Sequence, residues 1–164
     1  MEERALFTEL QRFNQWWIWV ILLGVDVMMI VIFRQVVLEK TPGNDVVGNI
    51  ALYFSVGILL MVNVLFLFLK LETNITKEGI TVRLFPLHMN TKQYKWEEID
   101  QALVRTYSPL GEYGGWGLRL GSSGTAYNVS GDRGIQLVFK NGEKILIGTK
   151  KPKEAAQVLA AFKE

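Results

Sequence analysis

Residues 46–70 read VVGNIALYFSVGILLMVNVLFLFLK, an apolar run broken only by Asn49, Ser55 and Asn63 before Lys70 closes it. At 1.5 Å per residue a helix of this length crosses a hydrocarbon core of about 30 Å. The run has no polar face, which a core helix of a small soluble domain needs. Upstream, residues 16–33 (WWIWVILLGVDVMMIVIF) repeat the pattern with Asp26 as the one charge. Together they predict a two-helix membrane hairpin over 16–70. Bulky Arg34-Gln35-Val36-Val37 follows the first run, so no small-residue cleavage site marks it as a removable signal.

Trp16, Trp17 and Trp19 open the first span, where amphipathic rings favour the headgroup layer as interfacial anchors. Leu6, Leu10 and Phe13 recur at helical spacing, so residues 1–15 are read as a juxtamembrane helix lying in the interface. Arg34 and Lys40 lie between the spans, whereas Arg4, Arg12, Lys70, Lys77 and Arg83 flank them. That asymmetry predicts a multi-pass protein of the cell (inner) membrane with both termini cytoplasmic and 34–45 outside. Asn74-Ile-Thr76 and Asn128-Val-Ser130 match the glycosylation pattern but are read as chance matches on a cytoplasmic domain.

Asp26 is the costly residue, at about 2.5–3.5 kcal/mol in mid-span on insertion scales. Three readings stand: a hydrogen bond to Ser55 or Asn63 within the hairpin, a partner subunit, or ion or proton movement. A rise count puts neither Ser55 nor Asn63 level with Asp26, which argues against the internal bond. Gly48, Ala51 and Ser55 share one face of the second run, and small residues there favour packing against the first span.

The chain splits in charge as well. Up to Lys70 there are 5 Lys/Arg and 6 Asp/Glu, and beyond it 13 and 10. The second part is therefore only mildly basic, too little for a nucleic-acid partner. With no cysteine and one histidine, His88 in a loop, the chain has no metal-ligand spacing and no nucleophile–base set. The glycines from Gly111 to Gly124 fit no dinucleotide fingerprint, since Leu120 stands where a third glycine belongs. No catalytic residue, metal or cofactor is expected, and a small-molecule substrate is not indicated.

From residue 71 to 164 the pattern shifts to short segments of period two. Residues 72–76 and 80–85 flank a Lys77-Glu78-Gly79 turn whose glycine is expected at positive φ; 92–96, 102–107, 116–120 and 126–129 follow. Residues 135–139 and 144–147 flank Asn141-Gly142, the strongest hairpin signal in the chain. Pro152 then starts a terminal helix, with Thr149 as a helper at its cap and Ala156, Leu159 and Ala160 on its inner face. Seven or eight antiparallel strands closed by a helix make a small barrel or sandwich.

The two spans, then Asn74-Ile-Thr76, Trp96-Glu97-Glu98-Ile99, Gly114-Gly115-Trp116-Gly117-Leu118-Arg119, Gly131-Asp132-Arg133-Gly134 and Ile147-Gly148-Thr149-Lys150-Lys151-Pro152, resemble the bacterial PH-like (pleckstrin-homology-like) membrane proteins. The resemblance runs from the first tryptophans to the terminal helix. It implies an antiparallel barrel or sandwich of about seven strands with a C-terminal helix, and no particular activity.

Two surfaces follow from the residue types. Tyr107, Tyr113, Trp116 and Arg119 lie in a glycine-rich stretch and suit a protein-binding surface; the alternative is a glycine corner with Trp116 in the core. Lys150, Lys151 and Lys153 form a basic cluster suited to anionic headgroups. The expected partners are the lipid bilayer and a second membrane protein or another copy of this chain. The functional expectation is a non-enzymatic membrane-anchored scaffold, with an anionic-lipid sensor second and an Asp26 ion path third.

Overall fold

A computed structural model describes residues 5–38, 46–87, 89–121 and 123–162, with side chains except at 36–38 and 46–49. Residues 39–45, with Lys40 and Asp45, and His88 lie outside the described residues, as do the surroundings of Gly48. The chain forms two units: Asn14–Phe68, and everything before and after it.

The first unit is a pair of helices, α1 (Trp16–Leu38) and α2 (Val46–Phe68). α1 continues five residues past the expected end at Phe33, so Arg34 is helical. Both are long and apolar enough to cross a membrane, and only 6% of each apolar window is buried. They meet along a narrow seam of three- and four-residue steps: Leu22, Asp26, Met29 and Phe33 on α1, Leu52, Val56, Leu59 and Asn63 on α2. Phe33 meets Tyr53 edge-on, with ring centroids 6.1 Å apart. Ala51 and Ser55 are exposed, so the small-residue face does not pack on α1 as expected. Larger residues fill the seam instead, and Ser55 Oγ donates to the Ala51 carbonyl of its own helix at 2.8 Å.

The second unit is mainly β, with nine strands among the described residues. β1 (Phe7–Arg12), β2 (Lys70–Ile75), β3 (Gly79–Phe85) and β4 (Lys92–Lys95) form one antiparallel sheet in that order. A single 3₁₀ turn at Trp96–Glu98 leads to β5 (Ile99–Thr106), then a short helix α3 (Pro109–Tyr113). β6 (Gly117–Gly121), β7 (Gly124–Asn128), β8 (Arg133–Phe139) and β9 (Lys144–Gly148) complete a second sheet ordered β5-β8-β9-β7-β6. The two sheets do not close into a barrel. One pair, β7 with β9, is parallel, because β9 folds back between β8 and β7 rather than outside them.

β1 corrects the reading of residues 1–15 as an interfacial helix. All six residues pair with β2, from Phe7↔Ile75 to Arg12↔Lys70. Phe7, Glu9 and Gln11 point inward and Leu6 and Leu10 outward, so the helical spacing of the leucines was coincidental. Two of the three inward residues are polar and find partners in the segment Gly148 to Lys150 at the end of β9. The Glu9 carboxylate, 5% exposed, accepts from Thr149 Oγ1 at 2.6 Å and from the Lys150 amide at 2.7 Å. Gln11 Nε2 donates to the Gly148 carbonyl at 2.7 Å.

The core lies between the sheets, with Leu71, Ile75, Ile80, Leu84, Ile135, Leu137 and Ile147 fully buried. α4 (Pro152–Ala160) covers it from β1, β5 and β8. Its inner residues are Ala155 and Leu159, one step from the expected Ala156, which is exposed along with Ala160. Beyond its end, Phe162 stacks on Trp96 at 4.5 Å. The N-cap is Lys151; Thr149 instead accepts the Lys151 amide at 3.0 Å while donating to Glu9. Gly142 takes φ +87° in the β8–β9 turn, as the Asn-Gly pair predicts. Gly79 is not at positive φ. It is needed because a Cβ there would lie 2.1 Å from the Tyr94 carbonyl oxygen across the β3–β4 ladder.

Candidate functional site

The helical pair carries the most unusual chemistry. Asn63 Nδ2 donates to Asp26 Oδ1 at 3.0 Å and also to the Leu59 carbonyl at 3.0 Å. The internal bond therefore forms, against the rise count. Cα–Cβ bonds tilt toward each helix's own N-terminus. In a hairpin the helices run in opposite senses, so Asp26 leans one way along the axis and Asn63 the other. The two side chains converge across a Cα offset that counting treated as a gap. Ser55, bonded within its own helix, takes no part.

The pair opens into a groove of about 390 Å³ lined by Met29, Ile30, Phe33, Val56, Leu59 and Leu60. Asp26 Oδ2 has no hydrogen bond among the described residues. One carboxyl oxygen is thus hydrogen-bonded inside the helical pair, and Asp26 and Asn63 are the polar residues in the lining of a groove that is otherwise apolar. In hydrocarbon an unmet polar atom costs several kcal/mol, because no water replaces the missing donor. Trp16, Trp17 and Trp19 fall in the first turn of α1, and Trp16 is 75% exposed.

The glycine-rich stretch of the β unit is a structural corner. Tyr107 and Tyr113 are each 4% exposed, with their rings edge-on at 6.0 Å. They are core residues, which removes them from the expected binding surface; burial pushes both phenols above their ordinary value. Asn128 Nδ2 donates to the Tyr107 hydroxyl at 3.0 Å and Asn128 Oδ1 accepts the Gly117 amide at 2.8 Å. Asn128 is fully buried, so that glycosylation match has no access in the fold. Ser108 caps α3 by accepting the Gly111 amide at 3.1 Å. Glu112 binds Arg105 Nη2 at 2.6 Å and the Ser108 amide at 2.8 Å. The Arg105 hydrogen bond, then the Ser108 amide, holds the Glu112 carboxyl below its ordinary value. Arg105 also donates to Gln136 Oε1 at 3.0 Å.

Trp116 is half-buried and donates from Nε1 to the Gly131 carbonyl at 3.2 Å. Arg119 is exposed, and its Nε donates to the Trp116 carbonyl at 3.0 Å. Only these two of the four proposed contact residues reach the surface. Among the C-terminal lysines, Lys150, Lys151 and Lys153 are exposed, and Lys151 pairs with Glu154 at 3.3 Å.

A family described as of unknown function (DUF6141) matches residues 2–163. The chain belongs to this family. The match covers β1, both long helices and the β unit, so the DUF6141 pattern includes the hairpin and the β unit as one arrangement. No curated protein and no solved structure matches the chain.

Sequence reasoning missed Glu9 and Gln11 altogether. Their signal, polar residues at the inward positions of a period-two segment, is invisible to hydropathy.

Proposed function

We propose that this protein is a non-enzymatic, membrane-anchored scaffold module that assembles with a second membrane protein through its hairpin. The two apolar helices cross the membrane, with both termini on the cytoplasmic side, and the β unit works at that surface. Its four-stranded sheet, second sheet and C-terminal helix are read as a PH-like arrangement, which serves binding rather than catalysis.

The observation that carries the proposal is the half-satisfied Asp26 carboxyl in its apolar groove. A helix bringing a hydroxyl, amide or basic group to Oδ2 completes the hydrogen bonding and fills the groove with the same contact. The occupant is a helix of another protein or of a second copy. The lipid-sensor reading through Lys150, Lys151 and Lys153 is the weaker one, since Lys151 is already paired.

The test is the mass of the full chain after extraction from its native membrane in mild detergent, with co-purifying proteins identified. The expected result is a defined complex that Asp26→Ala dissociates and Asp26→Asn weakens. A wild-type chain that is monomeric and partnerless sinks the proposal.

A further inference from the structure

The first sheet has one end that differs from the other. Across it, Arg12 pairs with Lys70 and Lys70 with Phe85. The chain passes from Arg12 to the start of α1 at Trp16 in four residues, and from the end of α2 at Phe68 to Lys70 in two. Both long helices therefore join the sheet at the end where β3 finishes. The β3–β4 loop begins at that same end. It exposes Leu87 to 49% and Met89 to 71%.

The surrounding outer face is basic. Arg12, Lys70 and Phe85 form one row, and Leu10, Glu72 and Arg83 the next. Lys70 and Arg83 lie 5.6 and 5.3 Å from the Phe85 ring centroid. Glu72 is the one acid in these rows, shared by Lys70 at 2.6 Å and Arg83 at 3.9 Å. Apolar tips beside cations suit the boundary between acyl chains and anionic headgroups.

Distance supports the same placement. Neighbouring strands are about 4.8 Å apart and an extended residue advances about 3.4 Å, so Leu87 lies within roughly 12 Å of Lys70. The headgroup layer on each side of a bilayer is about 5–7 Å thick. We infer that the β3–β4 loop is a third membrane contact, placing Leu87 and Met89 in the bilayer interface while Arg12, Lys70 and Arg83 face lipid headgroups. This rests on the reading that α1 and α2 span the membrane. It assigns lipid contact to the β3–β4 end of the first sheet, in place of Lys150, Lys151 and Lys153 at the start of α4.

The chain has no cysteine, so single-cysteine variants carry unique labels. Leu87→Cys, Met89→Cys and Glu78→Cys are labelled with an environment-sensitive fluorophore in the full chain. Glu78 is exposed in the turn at the far end of β3, roughly 20 Å away along the strand. Each is reconstituted into mixed phosphatidylcholine–phosphatidylglycerol vesicles, with or without a nitroxide lipid quencher near the headgroup. The expected result is several-fold stronger quenching at 87 and 89 than at 78, with a blue-shifted emission and protection from aqueous iodide. Equal quenching at all three sites, in protein that resists carbonate extraction, overturns the loop contact and leaves the spans intact. Release of the unlabelled chain by carbonate overturns the membrane reading itself, and the loop contact with it.

Discussion

Replacing Glu9 by alanine tests the least expected contact of the fold. The side chain is 5% exposed, and its two oxygens accept from Thr149 Oγ1 at 2.6 Å and the Lys150 amide at 2.7 Å. Hydrogen bonds to a charged group contribute about 1.5–3 kcal/mol each, and a buried donor left unpaired carries a penalty of similar size. Water entering the space left by the side chain recovers part of this. The expected loss is about 3 kcal/mol, a large share of the roughly 5–15 kcal/mol that holds a domain folded. Glu9→Gln retains one acceptor and loses about 1–2 kcal/mol. Because Thr149 supplies one of the two bonds, Glu9→Ala combined with Thr149→Val falls short of the sum of the single losses by roughly 1 kcal/mol. The assay is denaturant unfolding of the full chain in detergent micelles, followed by near-ultraviolet circular dichroism. Hydrogen exchange across residues 7–12 locates the loss. An Glu9→Ala protein within about 0.5 kcal/mol of wild type, the range of ordinary surface substitutions, refutes the clasp.

Three further outcomes follow from the β unit. Gly79→Ala forces a Cβ to 2.1 Å from the Tyr94 carbonyl and is expected to cost about 1–3 kcal/mol, seen as a lower melting temperature and faster exchange in β4. Glu112 has a lowered pKa, so its contribution is complete above its ordinary value of 4.5 and is lost as pH falls through the depressed one. Glu112→Gln should therefore cost under about 1 kcal/mol at neutral pH, its side chain being partly solvated, and nothing once the wild-type carboxyl is protonated; a difference that does not shrink as the pH is lowered below the ordinary value contradicts the ion pair. Phe162→Ala removes the stacked partner of Trp96 and is expected to red-shift the tryptophan emission and lower stability by about 0.5–1.5 kcal/mol beyond simple area loss.

The long helices were legible because composition alone carries them: each is a mainly apolar run of 23 residues, long enough to cross a bilayer. The Asn141-Gly142 hairpin was legible because its turn needs φ above zero and the sequence supplies the residues that permit it. Gly79 was right in place and wrong in cause, since a close backbone approach leaves the same residue as a positive φ. The Asp26–Asn63 bond stood as one of three readings, weakened by a count along helix axes that ignored the lean of side chains. Tyr107 and Tyr113 carry the composition of a contact surface, but a ring with one polar tip suits a core equally when an asparagine such as Asn128 meets that tip.

β1 escaped for a different reason, and it is the one that bears on function. Its partner β2 is the next strand in space but lies beyond the whole helical pair in sequence, with Arg12 opposite Lys70. A local pattern cannot report a pairing that distant. The inward residues that would have marked it as a strand are Glu9 and Gln11, polar because they bond the segment before α4. The hairpin is thus an insertion within a β ladder, joined to the sheet by two strands rather than one. The two connections, after Arg12 and before Lys70, therefore leave from the same end of the sheet. That end carries the β3–β4 loop with Leu87 and Met89, so the strand the sequence hid is also the one that gives the loop contact its geometry.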